Sequence, residues 1–272
     1  MGLKSLIIKL YHISLRPLWF LKQFLKSHPW FLIKLKYRQK LKYGFNFFQD
    51  HFHCLGLYSR RLGYFSQNGQ DYFLDKKIFH GMHNGFFVDI GTFSPDFDNA
   101  TYFFERHKNW KGLAIEPQIK HVAAWRAVRK TPIIHAAASS TSGTSNFIVV
   151  DHPSVMNYNA WSGLESSIAN EKMTLLPPET NKTSITIPTT TVTEALEKFA
   201  EPNKIINYMS IDVEGHEMEV LKGIDFNKFN IQCIVIENDI LPEGDPIIHN
   251  YMISKGYKYI ARLTSDDIFI KI

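Results

Sequence analysis

The chain has few cysteines, and its two are far apart. Cys54 and Cys233 are the only cysteines among 272 residues, and neither lies in a C-x-x-C motif. Zinc sites and disulfide scaffolds need more cysteines at closer spacing. The sequence therefore predicts two reduced thiols that act as ordinary core residues, and it shows no recognisable cysteine nucleophile motif.

Acidic residues are missing from the first fifth of the chain. Residues 1–49 hold ten Lys or Arg and no Asp or Glu. The remainder then has 21 basic and 26 acidic residues, a net charge of −5, so the pI of about 9.0 belongs to the first segment. A basic balance confined to one segment gives no reason to assign nucleic acid as a partner of the rest. We therefore expect no nucleic-acid binding.

Long hydrophobic runs are absent too, since lysines interrupt each apolar run of the first segment before it reaches the roughly 20 residues that span a bilayer. No small-residue cleavage site follows, which argues against a secretory signal. Short amphipathic helices with Trp and Lys fit two roles, and the sequence leaves both open. Residues 1–45 either bind an anionic membrane surface or cap the rest of the protein. The predicted location is cytoplasmic, peripheral on the inner membrane face in the first case.

Glycine is scarce where a dinucleotide site would need it. Phe86–Ile90 is predicted to be a strand with Asp89 near its end, and Gly91 follows it. The next residues offer no second or third glycine, and Pro95 removes a backbone donor. This turn is a poor cradle for phosphate, which disfavours an NAD-dependent oxidoreductase. It suits S-adenosyl-L-methionine, which carries a sulfonium and an ammonium group and no phosphate.

A second strand, Gly112–Glu116, ends in an acid and is stopped by Pro117. A carboxylate at that place in a nucleoside-binding fold can accept both ribose hydroxyls. A plain βαβ unit with an acidic turn is the alternative interpretation of the two strands together.

From Gln67 the pattern alternates strands and helices, which predicts a doubly wound, mostly parallel α/β sheet. A C-terminal hairpin, Tyr257–Leu263 with Asp267–Lys271, would add one antiparallel strand at its edge. Thr193 is predicted to cap a helix. Residues 151–184 are polar and lack a clear period, which fits either a substrate lid or a disordered surface insertion. The predicted division is a basic helical extension over 1–62 and an α/β domain over 63–272.

Several ordered blocks of the sequence resemble the FkbM family of S-adenosylmethionine-dependent methyltransferases, over about residues 64–272. The blocks are Ser66–Asp71, Gly85–Gly91, Asn99–Glu105, Trp110–Pro117, Ala136–Gly143, Ile211–Glu217, Val220–Gly223 and Ile234–Glu237. The resemblance implies a class I methyltransferase fold, with a Rossmann-like sheet. The family usually has a turn of the type G-A-N after the strand, and Thr92-Phe93 departs from it.

The resemblance also implies positions for the cofactor. Asp89, Gly91 and Thr92 would lie along its methionine part, and Glu116 on its ribose hydroxyls. Ala137 would border the adenine, and Gln70 would close over the cofactor. Thr101, with Asn99, would begin the helix beneath it, although helix capping alone is the alternative role for that pair.

Three acids are candidates for the chemistry. Asp212 and Glu237 end two neighbouring strands, at the sheet edge where such folds bind ligands, and a hydroxyl acceptor needs a base. Asp212 is the first choice, and Glu214 is the least certain because it is also a candidate helix cap. His216 is predicted to be a surface residue. A magnesium ion held by Asp212, Glu237 and Asp239 is an alternative that is not favoured, so no metal ligand is assigned.

The function implied by the resemblance is O-methylation of a sugar hydroxyl in a glycan, a lipid-linked precursor or a glycosylated metabolite. A sugar-containing acceptor is then the expected partner. The alternative is a non-catalytic, membrane-associated binding protein that keeps the fold, because Phe93 stands in the cofactor turn.

Overall fold

The computed structural model describes residues 55–56, 58–152, 159–168, 173–199, 204–239 and 244–272. The predictions for residues 1–45 and for Cys54 lie outside these ranges. The helices and strands are, in chain order, α1 (Gln70–Phe73, continued by the π-helical Leu74–Ile78), β1 (Phe86–Ile90), α2 (Ala100–Lys108), β2 (Lys111–Glu116), α3 (Ile119–Val128), β3 (Ile133–His135), β4 (Ala137–Ala138), β5 (Gly143–Asp151), β6 (Gly163–Leu164), β7 (Asn181–Thr190), α4 (Val192–Phe199), β8 (Ile205–Ile211), α5 (Glu217–Lys222), β9 (Asn230–Glu237), α6 (Pro246–Ser254), β10 (Tyr257–Leu263) and β11 (Asp266–Lys271).

The main sheet has seven strands in the order β3-β2-β1-β8-β9-β11-β10. Strand β11 runs antiparallel to both of its neighbours, and the other paired strands are parallel. This confirms the predicted mostly parallel sheet. The antiparallel strand lies one place in from the edge, where the sequence had placed it at the edge itself, because β10 takes the outer position and β11 returns between β10 and β9.

The alternation of side chains along β1 explains why helices cover both faces of this sheet. Its five residues are all buried. Val88 belongs to a core cluster with residues of α4, α5 and α6, whereas Phe87 belongs to a second cluster with residues of α1 and α2. Successive side chains of a strand point to opposite faces, so an unbroken apolar run requires cover on each side. Cys233 of β9 is buried in the second cluster, as expected for a packing residue.

A second sheet of four strands, in the order β4-β7-β5-β6, replaces part of the region that the sequence had left as a lid or a disordered insertion. Strands β5 and β7 pair antiparallel along their length, from Gly143 opposite Thr189 to Asp151 opposite Asn181. Phe147, Ile187, Leu164 and Ala137 form its small apolar cluster. Most other side chains of β7 are exposed, which is why the sequence looks polar here.

Helix α4 is capped by a different threonine from the predicted one. The hydroxyl of Thr191 accepts the N–H of Glu194 at 3.0 Å. The hydroxyl of Thr193 instead donates to the carbonyl of Gly223 at 2.9 Å and accepts the N–H of Asp225 at 2.8 Å. The predicted cap at Thr193 is therefore wrong, because that hydroxyl ties the helix to the loop after α5.

The described residues at the start of the α/β unit are joined to its core. Leu55 is buried in the same cluster as Phe73 and Phe104. The proposed domain boundary between residues 62 and 63 stays a prediction. Among the described residues, no helix is both long enough and apolar enough to cross a membrane.

Candidate active site

The end of β1 meets the end of β8 at Gly91. The N–H of Asp212 donates to the carbonyl of Ile90 at 3.1 Å. Gly91 has a φ of +77°, and a Cβ at this position would overlap the carbonyl oxygen of Asp212. Only glycine fits both conditions without strain. The cofactor turn predicted from the sequence is therefore in direct backbone contact with the residue that follows β8.

Asp89 lies beneath this turn and is almost fully buried. Its Oδ2 accepts hydrogen bonds from Asn99 Nδ2 at 2.9 Å and from Thr101 Oγ1 at 2.6 Å. Asn99 also caps α2, because its Oδ1 accepts the N–H of Tyr102 at 3.1 Å. Burial raises the pKa of Asp89, and the hydrogen bonds from Thr101 and Asn99 partly offset that rise. Asn99 thus both caps α2 and supports the β1 carboxylate, and Thr101 gives that carboxylate a second hydrogen bond.

Glu116, at the end of β2, is covered by the turn that follows Gly91. It is only 2% exposed. Its Oε2 accepts the N–H of Phe93 at 3.2 Å, and its Oε1 accepts the N–H of Gln118 at 2.8 Å. Phe93 has a φ of +45°, and its ring meets that of His121 edge-on with centroids 4.8 Å apart. A ribose would reach this carboxylate only after the Thr92–Phe93 turn moves.

Three other predicted cofactor residues have definite places. Thr92 is buried beside Glu116, with its hydroxyl 3.5 Å from Oε2. Ala137 is buried in β4 and pairs with Thr189, directly after Ala136, whose N–H donates to the Glu116 carbonyl at 3.2 Å. Gln70 lies elsewhere: its side-chain amide donates to the carboxylate of Asp266, at the start of β11. This places Gln70 beside the strands that carry the candidate base.

The three candidate catalytic acids come together at the carboxyl ends of β8 and β9. One carboxylate oxygen from each of Asp212, Glu214 and Glu237 lies within 4.8 Å of those of the other two. The register explains this proximity, because Ile211 pairs with Ile236 and the next residue of each strand is an acid. Asp266 continues the row, since β11 pairs it with Glu237.

The protonation behaviour of these acids reflects crowding. Surrounding protein raises the pKa of Asp212 well above its usual range, and the charges of Glu214 and Asp266 add to the effect. The pKa of Glu237 is also raised, first by burial and then by the charges of Asp212 and Glu214. Burial raises the pKa of Asp266 to about 6. Asp212 remains exposed to solvent, and Glu214 and Glu237 are partly exposed, so the cluster is not sealed inside the protein.

The turn between Asp212 and α5 is fixed by Glu217. Its Oε1 accepts the N–H groups of Val213 at 3.2 Å and Gly215 at 3.1 Å. Helix α5 begins at Glu217, with His216 in the N-cap position. Glu214 has a φ of +58° and projects its carboxylate toward the cluster. The alternative role of Glu214 as the cap of a helix beginning at Gly215 is therefore wrong.

His216 is buried, contrary to the prediction of a surface residue. Its Nε2 lies 3.0 Å from Ser139 Oγ, and its Nδ1 is hydrogen-bonded to Ser167 Oγ. Burial lowers the pKa of His216, which favours the neutral ring. A Cβ on Gly215 would come within 3.0 Å of the Ser167 carbonyl. Residues 163–168 therefore rest on the turn between Asp212 and α5.

Two functional candidates were missed from the sequence, Arg129 and Ser167. Arg129 binds residues of the β1–α2 turn and of α2, which precede it by 28 to 34 positions. Ser167 contacts His216, 49 positions away. Neither contact follows a local spacing rule, so no pattern in the sequence could have identified them.

The order of the seven strands, with antiparallel β11 next to the last, together with acids at the tips of β1, β2, β8 and β9, defines a class I methyltransferase fold. A family model for the methyltransferase FkbM domain matches residues 81–259, and the chain belongs to that family. No significant similarity to a curated protein or to a solved structure was found. The family resemblance seen in the sequence is thereby confirmed.

Proposed function

We propose that this methyltransferase uses S-adenosyl-L-methionine and methylates a hydroxyl group of a sugar. The observation that carries the proposal is the contact between Gly91 and the Asp212 backbone. It brings the predicted cofactor turn directly against a cluster of three carboxylates. A donor at the β1 tip and a base at the β8 and β9 tips are then neighbours, as an in-line transfer requires.

The residues around the turn suit this cofactor better than a dinucleotide. The turn from Gly91 to Asn99 includes two aspartates and Pro95, whose carbonyl is held by Arg129. A pyrophosphate would instead need clustered backbone N–H donors. S-adenosyl-L-methionine supplies, when bound, a methyl group on a sulfonium that an acceptor oxygen can displace. Glu116 would hold the ribose hydroxyls, and Asp89 would stabilise the turn along the methionine part.

Asp212 is the proposed base, and Glu237 is its partner. Because the surrounding protein and neighbouring negative charges raise the pKa of both acids, either carboxylate holds a proton more tightly than a free one does. An acceptor hydroxyl bound here would donate its hydrogen bond to the Asp212 carboxylate, which would take up the proton that the hydroxyl loses. A positioned base of this kind contributes ~10²–10⁴-fold to rate. Glu214 would orient the acceptor.

The sugar acceptor is supported by two considerations. It is the acceptor that the family resemblance favours, and several carboxylates within reach of solvent are suitable hydrogen-bond acceptors for the hydroxyls of a sugar. Residues 163–168, which rest on the turn between Asp212 and α5, would form one wall of the acceptor site. We further propose a cytoplasmic protein that is peripheral on the inner membrane face.

One observation favours a second function, a non-catalytic binding protein that keeps the fold. The N–H of Phe93 donates to Glu116, which is almost fully buried. A turn locked in this position would exclude the nucleoside. The two functions differ in whether the turn opens, and binding of the cofactor product decides between them.

Isothermal calorimetry with S-adenosylhomocysteine tests the proposal on the wild type, Glu116→Gln and the matched surface variant Glu197→Gln, an exposed residue of α4. We expect micromolar binding by the wild type and by Glu197→Gln. Affinity should fall about tenfold or more in Glu116→Gln, because a hydrogen bond to a charged group contributes about 1.5–3 kcal/mol.

Two results would contradict the proposal. Heat with NAD(H) and none with S-adenosylhomocysteine would identify a dehydrogenase-type site. A folded wild type that binds neither would make the non-catalytic function the better one.

A further inference from the structure

Arg129 lies at the point where α3 gives way to the chain that leads to β3. Its N–H donates to the carbonyl of Trp125 at 2.8 Å, and its own backbone is extended, with φ −102° and ψ 148°. This change of direction turns the side chain into the protein, where the guanidinium is fully buried. A buried guanidinium needs partners for its five N–H donors, and the partners show what it holds.

The guanidinium has four acceptors on three sides. Nε donates to Glu105 Oε2 at 2.7 Å, and Nη2 donates to Thr101 Oγ1 at 3.0 Å. Nη1 donates to the Pro95 carbonyl at 2.7 Å and to Asn99 Oδ1 at 3.3 Å. Its face stacks on the Trp125 ring, 4.0 Å from the centroid. The planar guanidinium of an arginine holds its N–H donors in fixed directions that match these acceptors, and a lysine ammonium does not.

Glu105 fixes the orientation of the Arg129 guanidinium. Besides binding Nε, its carboxylate accepts the N–H of Lys130 at 2.8 Å and the hydroxyl of Thr131 at 2.7 Å. The arginine charge and these hydrogen bonds hold the pKa of Glu105 below its usual value in spite of burial. Charge-assisted pairs of this geometry are the strong ones, so the guanidinium is held firmly from the α2 side.

The Nη1 and Nη2 groups of the guanidinium reach two parts of the predicted cofactor site, the turn after Gly91 and the side chains that bind Asp89. Pro95 belongs to the turn that covers Glu116, and this turn needs support because Phe93 and Asp98 both have positive φ. Asn99 and Thr101 are the two side chains that donate to Asp89. One guanidinium therefore connects the turn with the carboxylate beneath it.

We propose that Arg129 is a positioning residue of the nucleoside site, which sets the Gly91–Asn99 turn and the Asp89 carboxylate in one geometry through Pro95, Asn99 and Thr101. The inference rests on the proposed function, because it assigns the turn to the cofactor. Arg129 itself touches no reacting atom; it acts through the residues that it binds.

Calorimetry with S-adenosylhomocysteine on the full chain tests this inference, with the melting temperature measured in parallel. We compare Arg129→Met and Arg129→Lys with Arg262→Met. The control also loses a buried arginine that is paired with a carboxylate, Asp267 at 3.0 Å, and it lies on the edge strand β10, four places from β1 in the sheet. We expect similar losses of melting temperature in Arg129→Met and Arg262→Met. Affinity should fall about tenfold or more in Arg129→Met alone, and less in Arg129→Lys.

A pH series adds a signature that general destabilisation would not produce. The charged and titratable neighbours of Asp89 are Arg129, Glu116 and Tyr208. The positive charge of Arg129 lowers the pKa of Asp89, so its removal moves protonation of Asp89 to higher pH. On acidification, the affinity of Arg129→Met should therefore decline at a higher pH than that of the wild type.

The outcomes separate this inference from the function on which it rests. Failure of the wild type to bind would count against the cofactor. Wild-type binding with unchanged affinity in Arg129→Met, or an equal loss of affinity in Arg262→Met, would overturn the positioning role and leave the cofactor assignment intact.

Discussion

At the scale of single residues, the acids at the ends of β8 and β9 are poorly placed for stability. Three carboxylates within 4.8 Å repel one another, and neighbouring protein reduces their hydration. A fold that needed only a sheet edge would be more stable with neutral side chains there. Groups held at such a cost are typical of sites that use the shifted pKa.

The loss of stability that this crowding causes can be measured by comparing the wild type with Asp212→Asn at several pH values. An acid whose pKa is raised in the folded protein stabilises the fold below its unfolded pKa, which is near 3.8 for Asp, and loses that contribution as pH rises through the folded value. Above that unfolded value, the raised pKa of Asp212 therefore makes the folded protein less stable than a neutral side chain at this position would. We expect Asp212→Asn to raise the melting temperature at pH 7, by about 2–4 °C for each kcal/mol gained, and the difference to vanish near pH 4.

The surface variant Asp151→Asn is the matched control and should change the melting temperature little at either pH. An increase for Asp212→Asn that is equal at pH 4 and pH 7 would contradict the electrostatic explanation. Stabilisation of the wild type by millimolar Mg²⁺, lost in Asp212→Asn, would identify the carboxylates as a metal site instead.

At the scale of elements, the antiparallel pair β5 and β7 supports residues 163–168, which contact the turn between Asp212 and α5. Strand β6 pairs with the middle of β5, Phe147 opposite Leu164. The chain then forms a turn in which the N–H groups of Ser167 and Ile168 both donate to the Leu164 carbonyl, at 2.9 and 3.0 Å. His216 joins this turn to α5 and, through Ser139, to the end of β4.

Removal of the Ser167 hydroxyl should loosen this turn without unfolding the sheet that carries it. A neutral hydrogen bond contributes about 1 kcal/mol, so local opening should become about fivefold more frequent. We expect the amide of Ile168 to exchange its hydrogen about fivefold faster in Ser167→Ala, with no change at the β5–β7 pairs. Hydrogen exchange followed by mass spectrometry measures both. Ser166→Ala, at the exposed neighbouring residue, should exchange like the wild type.

The same elements show how far the sequence could predict the protein. Acids and a glycine that follow apolar strands are local patterns, and parallel strands bring their ends together, so Asp212 and Glu237 could be placed side by side in advance. The partners of His216 could not, because Ser139 and Ser167 are 77 and 49 residues away. The start of β7 was assigned to the polar segment 151–184 because its side chains there are exposed, which removes the apolar alternation on which strand prediction depends.

At the scale of the whole molecule, charge is divided between two parts of the chain. Ten basic residues and no acids precede residue 50, while the remainder carries a net charge of −5. The candidate site adds to that imbalance with its own acids. The two parts therefore favour different surroundings, and the basic, Trp-containing first segment is the part suited to an anionic lipid surface.

We predict that the full chain sediments with vesicles that contain phosphatidylserine, and that Lys34, Lys36, Arg38 and Lys40 contribute to this binding. Each basic residue near an anionic surface contributes about 1 kcal/mol, so changing all four to Gln should weaken binding far more than tenfold. The matched control changes four exposed lysines of the α/β part, Lys130, Lys198, Lys258 and Lys271, to Gln.

If net charge alone governed binding, the two quadruple variants would lose affinity equally, because both lower the charge by four. Binding through the first segment predicts loss only in the first variant, and attraction that weakens as salt is raised. If the wild type and the first variant sediment equally, the membrane role of residues 1–45 is contradicted and their role as a cap on the rest of the protein is favoured. A lipid-linked acceptor would then have to reach the acids at the ends of β8 and β9 without the first segment holding the enzyme at the membrane.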